Sequence, residues 1–182
     1  MAEELTGISP KSRRPLRDQI AVRLPFLVDL GAAAGLRLPP GSPLRRRGIK
    51  LAFRVAWKAI SRGDFEPARL IYERDAEVFL FGAEGLGLAG RYSGELGWAE
   101  FIGDIFENFG EPRWTTQRVR DAGDRLVAEI GLTASGKVSG APVAESLATV
   151  YYLSPGGKIA RQEVFWQRDS WNLALEAAGL AE

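Results

Sequence analysis

The second half of the chain sets the tightest limit on its fold. At roughly 114–121, 125–134, 143–153 and 158–168, runs of strand length rich in β-branched and aromatic residues follow one another, separated by AGD, ASGK and SPGGK. Short runs joined by glycine-containing turns pair as an antiparallel meander. Ahead of them the apolar period is helical. Ile49, Ala52, Phe53, Ala56, Trp57 and Ile60 recur at three- and four-residue steps, which puts them on one face of an amphipathic helix. Helices followed by an antiparallel sheet define an α+β fold in which the helices wrap one sheet face.

Local signals place the remaining elements. Ser42 followed by Pro43 predicts the start of that helix and Gly63 its end. Asp64 is the expected cap of a further helix running to about Arg74, after which Val78 and Leu80 mark a buried strand. GELGWAEFIGDIFENFG predicts a helix with Leu96, Phe101, Ile105 and Phe109 among its apolar positions, and a last helix is expected over about 170–179. Upstream, residues 1–17 are polar and expected to be loosely attached. The segment from Asp18 to Leu38 predicts one helix, or two short ones broken at Pro25. With 182 residues and 46% hydrophobic content the chain can bury one sizeable core. The expected organisation is a basic extension over 1–42 and a single folded body over 43–182.

Composition removes several chemistries. There is no cysteine and no histidine, so thiolate catalysis, disulfides, cysteine-ligated metal and the usual neutral-pH base are excluded. No metal site and no cofactor are expected. The net charge of +1 conceals a division: residues 1–62 hold 13 Lys/Arg against 4 Asp/Glu, and residues 63–182 hold 11 against 19. The basic part is expected to dock on its own acidic body or stay solvated, and the RRR run at 45–47 to be a solvated face; nucleic-acid binding lacks any accompanying motif. The apolar run from Ile20 to Leu38 is interrupted by Arg23, Pro25, Asp29 and Arg37, so neither a signal peptide nor a membrane span is expected and a cytoplasmic location is the default. GLGLAG at 85–90 fits G-x-G-x-x-G, yet RYSG follows it in place of a helix, so it is expected to be a loop at a pocket mouth. Asp121 and Asp124 fall in a turn, where aspartate serves local hydrogen bonding.

The phrases AWKAISRGDFEPARLIYERDAEV, GRYSGELGWAEFI, DAGDRLVAEI, SPGGKIARQEVFWQRD and ALEAAGL, in this order, resemble the nuclear transport factor 2-like superfamily over residues 43–180, and the extension LPFLVDLGAAAGLRLPPGSPLRRR resembles that of an uncharacterised SnoaL-like branch of it. The resemblance implies a cone-shaped fold, sometimes called cystatin-like, whose curved sheet and helices enclose an apolar pocket. It also implies that the family's chemistry is missing here. Ala56, Thr149 and Leu80 fall where ketosteroid isomerase carries its oxyanion-holding tyrosine, its protonated aspartate and its base. Val164 corresponds to an aspartate of limonene epoxide hydrolase, and Gln162 to the histidine of SnoaL-type cyclases.

In the register that this resemblance gives, Glu145, Leu147, Thr149 and Tyr151 share one strand face, and Gln162, Val164 and Trp166 face the same interior, because side chains alternate along a strand. Trp57, Tyr72, Trp98, Phe101 and Ile102 are expected to close the cone from the helices, making a lining suited to a hydrophobic small molecule. Glu145 is the one carboxylate aimed inward, and an apolar cavity would raise its pKa and make it a general base or acid. The first expectation is a SnoaL-like isomerase, lyase or hydrolase acting through Glu145. The alternative is a non-catalytic ligand-binding or dimerisation module, its homodimer formed through the sheet, with the cone filled by Trp57, Trp98 and Trp166.

Overall fold

The computed structural model describes residues 13–181. The first twelve residues, part of the segment expected to be loosely attached, lie outside the described residues.

Four helices open the chain: α1 (Leu16–Arg23), α2 (Pro25–Arg37), α3 (Pro43–Ser61) and the single turn α4 (Glu66–Arg69). Proline explains the first break. Pro25 occupies the first turn of α2, where a missing N–H costs nothing, while Leu24 N–H closes α1 on Ile20 O at 2.8 Å. Ser42 caps α3 by accepting from Arg45 N–H at 3.4 Å, and Gly63, at φ +74°, takes the left-handed conformation that ends it.

The helix expected to reach Arg74 stops at Arg69, and Tyr72 already belongs to β1 (Tyr72–Phe81). Pairing across the sheet outweighs local helix preference here: Tyr72 lies opposite Ile159, and Ile159 N–H donates to Ile71 O at 2.9 Å. Asp64 is likewise not a cap. It is buried and receives both Nε and Nη2 of Arg14, at 2.8 and 2.7 Å.

After β1 come β2 (Arg91–Tyr92), α5 (Gly97–Asn108), β3 (Phe109–Asp121), β4 (Arg125–Gly136), β5 (Pro142–Leu153), β6 (Ile159–Phe165) and α6 (Ser170–Ala177). The strands form one sheet in the order β2-β1-β6-β5-β4-β3. β1 runs parallel to β6, with Val78 opposite Gln162 and Leu80 opposite Val164, and the other neighbouring pairs are antiparallel. Register shifts in β3, around 110–113 and 116–118, mark irregularities of the kind that bend a strand.

Period-two alternation divides the sheet into two faces. Val78, Leu80, Ile130, Leu147, Thr149 and Val164 turn inward to meet α3 and α5 in the main core, and Ala56 joins them from α3. Val127, Ala148, Val150 and Phe165 turn outward against Ala174 and Ala178 in a smaller core beneath the last helix. On the outer face α6 covers part of β4–β6.

The extension is tied down mainly by charge. Arg62 reaches buried Asp18 at 2.7 Å, Lys158 reaches Asp29 at 3.1 Å, and Arg14 also binds Glu66 at 2.9 Å. Arg45 is the central tie. Its Nε meets Asp121 at 2.8 Å, while Nη1 donates to Leu36 O and Leu38 O at 3.0 and 3.1 Å and Nη2 to Gly123 O. Gly157, at φ +81°, lies so close to α2 that a Cβ there would run into the Ala32 carbonyl.

Candidate functional site: an indole-walled cavity

Inside the cone lies a cavity of about 40 Å³, room for a few waters. Four indoles surround it. Trp57 comes from α3, Trp98 from α5, Trp114 from β3, and Trp166 follows β6. Trp57 and Trp114 stack with centroids 6.0 Å apart, and Trp57 Nε1–H donates to Thr116 Oγ1 at 2.8 Å, which fixes that wall. Phe101 and Leu147 add apolar surface, as does Val164.

Three polar side chains reach this space: Tyr72, Thr149 and Gln162. The buried Tyr72 hydroxyl donates to Gln162 Oε1 at 2.7 Å, and its ring packs on Trp98 with centroids 5.2 Å apart. The Thr149 hydroxyl is buried and completes no hydrogen bond among the described residues. Burial pushes the Tyr72 phenol far up, with Trp98 and Arg69 acting weakly against it. Burial also carries the adjacent Tyr151 phenol well above its ordinary value; repulsion from an ionised Tyr72 adds to this, and the Thr149 hydroxyl, close to Tyr151 but outside hydrogen-bonding geometry, opposes it. Both phenols are thus neutral hydrogen-bonding groups at physiological pH.

An unsatisfied buried hydroxyl is a local cost, and removing it without changing shape removes that cost. Thr149→Val is expected to leave stability unchanged or raise it by about 1 kcal/mol, as read from urea denaturation. A clear loss would show that the hydroxyl has a partner.

Most of the expected lining surrounds the cavity; two residues do not. Tyr151 is buried beside it, edge-on to Phe53 with centroids 5.6 Å apart, and does not line it. Glu145 is exposed, which corrects the inward, buried placement expected of it. Strand parity gives a residue its face but not its depth, and burial along β5 begins only at Leu147. Glu145 instead borders an open outer cleft together with Arg118, Glu129 and Trp171. Trp114 was not foreseen. Its alternation with Thr116 on one face of β3 was the available signal, obscured because the strand starts five residues earlier than its pattern suggested.

Among the described residues no carboxylate, lysine or arginine lines the cavity. Among the described residues no group of three or more Asp or Glu side chains could hold a metal ion. The GLGLAG loop is held by protein contacts: Ala89 N–H donates to Tyr92 Oη at 2.8 Å, Tyr92 Oη–H donates to Asp104 at 2.6 Å, and Asn108 Nδ2 reaches Gly87 O at 3.3 Å. Asp121 accepts from Gly123 N–H at 3.1 Å, the local turn bond expected of it.

No family model matches the sequence, and no curated protein matches it. Solved structures do. The chain is similar to TerC co-crystallised with polyporic acid, at 20% identity and a TM-score of 0.57, over 70% of this chain and 97% of that one. It is similar to an NTF2-like protein of unknown function from Burkholderia pseudomallei, at 17% identity and a TM-score of 0.57, over 72% and 95% of the two chains. RV0760c from Mycobacterium tuberculosis in complex with estradiol-17beta-hemisuccinate matches at 14% identity and a TM-score of 0.55, over 66% and 95%. The chain has the nuclear transport factor 2-like fold.

Proposed function

We propose that this protein is a non-catalytic binder of a small, neutral, largely apolar molecule, taken up inside the cone. One observation carries the reading: a buried, unpartnered Thr149 hydroxyl and the Tyr72–Gln162 pair border a cavity with otherwise apolar and indole walls. Such a wall rewards apolar surface and offers one open hydrogen-bonding position. It presents no group that titrates near neutrality, so general acid–base chemistry has no agent in it. Fold-mates crystallised with polyporic acid and with estradiol-17beta-hemisuccinate support uptake of organic molecules by this kind of cone. A SnoaL-like isomerase, lyase or hydrolase would need an agent other than Glu145, which is at the surface.

The cavity's size bears on what enters. At about 40 Å³ it is far below the usual range for drug-sized ligands. A six-membered ring needs several times that space, so its uptake requires displacement of a wall residue such as Trp57 or Trp98.

A size series of neutral alcohols from cyclohexanol to estradiol tests this, read by thermal shift and tryptophan fluorescence. Four of the five tryptophans line the cavity, so occupancy changes their emission. Cyclohexanol is expected to raise the melting midpoint with concentration, and Thr149→Val to weaken its binding roughly tenfold. No shift with any alcohol, or equal binding by the variant, would refute the assignment.

A further inference from the structure

The N-terminal helices pose a separate problem. α2, PFLVDLGAAAGLR, is apolar around most of its circumference, the pattern of a helix enclosed by protein or by lipid. Yet none of its residues is buried. Leu16, Ile20, Leu24, Phe26, Leu27 and Leu30 are all exposed, Leu30 by 66% and Phe26 by 59%, and Leu44 and Leu51 of α3 are exposed too. Only Phe81, Leu96 and Val138 among the other large hydrophobic residues described are exposed. Apolar exposure is therefore concentrated on this arm and the helix beside it, and concentration of that kind marks an interaction surface.

The charges there say what covers it. Both acids of the arm are neutralised within the protein, Asp18 by Arg62 and Asp29 by Lys158. Arg23, Arg37, Arg46, Arg47, Lys50, Arg54 and Lys58 are exposed and form no ion pair among the described residues. A second copy seated symmetrically on this surface would oppose like charges. Nucleic acid would use the cations and leave the leucines and Phe26 in water. A bilayer surface containing anionic phospholipids satisfies both sets, apolar side chains among the acyl chains and guanidinium and ammonium groups at the headgroups.

Geometry favours lying in that surface over crossing it. No single described helix is long and apolar enough to span a membrane, and α1 and α2, which together reach the necessary length and composition, meet at 93°. The 13 residues of α2 rise only about 20 Å, short of a hydrocarbon core of roughly 30 Å.

We propose that the α1–α2 arm is an interfacial anchor, inserting Phe26, Leu27 and Leu30 into an anionic phospholipid surface while Arg23, Arg37 and the outer cations of α3 engage its headgroups. The test floats the full chain with vesicles of phosphatidylcholine alone and of phosphatidylcholine mixed with phosphatidylglycerol. Binding is expected to the mixed vesicles only, and to fall as salt screens the headgroups. Phe26→Ser combined with Leu30→Ser should weaken it roughly tenfold or more, and Arg47→Glu combined with Arg54→Glu should weaken it without touching the apolar set. All four positions are exposed, so circular dichroism should show native folds. Absence of flotation with mixed vesicles, equal flotation with neutral ones, or unaltered flotation of Phe26→Ser/Leu30→Ser would overturn the proposal. So would a dimer that this variant dissociates in light scattering without any vesicle binding, which would give the surface to a second copy.

Discussion

Arg45→Ala is expected to remove about 3–5 kcal/mol of stability, the range for deleting one partner of a buried ion pair. The guanidinium is 4% exposed, and it ties α3 to two segments: the end of α2 through the Leu36 and Leu38 carbonyls, and the β3–β4 turn through Asp121 and Gly123 O. Its loss orphans the terminal carbonyls of α2, which no other group satisfies in the way the fork does. Asp121 keeps two amide donors, Gly41 N–H at 3.2 Å and Gly123 N–H at 3.1 Å, so the lower end of the range is expected. For a chain of this length that is a fall of roughly 6–20 °C in melting temperature. Arg45→Lys restores the charge without the planar fork and should recover only part of it. A change below about 1 kcal/mol for Arg45→Ala, within the range of surface ion pairs, would show that the arm holds its place without this tie.

The second large effect appears in alkali. The chain has four tyrosines, and none is left to ionise at its ordinary value. Burial raises Tyr72 and Tyr151, and burial followed by the hydrogen bond to Asp104 pushes Tyr92 up to about 12. Tyr152 is raised by burial and then by its hydrogen bond to Glu163, at 2.9 Å, with Arg161 and Arg125 opposing. In the unfolded chain tyrosine ionises near pH 10. The folded state therefore holds protons that the unfolded state releases, and its stability is intact below about pH 10 and declines as pH rises above it. Absorbance of tyrosinate should show no ionisation in the native protein around pH 10, then a rise coincident with loss of the folded circular dichroism signal. In denaturant the four should titrate together near pH 10. A tyrosine ionising normally while the fold persists would contradict the burial described for these phenols.

The same physics separates what could be read along the chain from what could not. Helix α3 and strands β4 to β6 were visible because each carries its own periodicity and its own punctuation, Ser42-Pro43 and Gly63 for the helix, glycine-containing turns for the strands. Those signals act over a few residues, so they survive without knowledge of the fold. The inward parity of Leu147, Thr149, Gln162 and Val164 followed from the same alternation, once a register was supplied.

Depth, partners and filling belong to the assembled structure. Residues 72–74 became the start of a strand because Ile159 was there to pair, and Asp64 became a buried ion-pair acceptor because Arg14 arrived from fifty residues away. Glu145 and Thr149 share a strand face, but only the packing above β5 exposes the first and isolates the second. The sequence by itself determined the α+β order and the absence of histidine and cysteine chemistry, because these rest on residue type and local period. The tertiary structure alone decided that four indoles leave only a small cavity around an unpartnered hydroxyl, and that an apolar helix stays uncovered. Both depend on how much space remains after distant segments meet, a quantity no local pattern encodes.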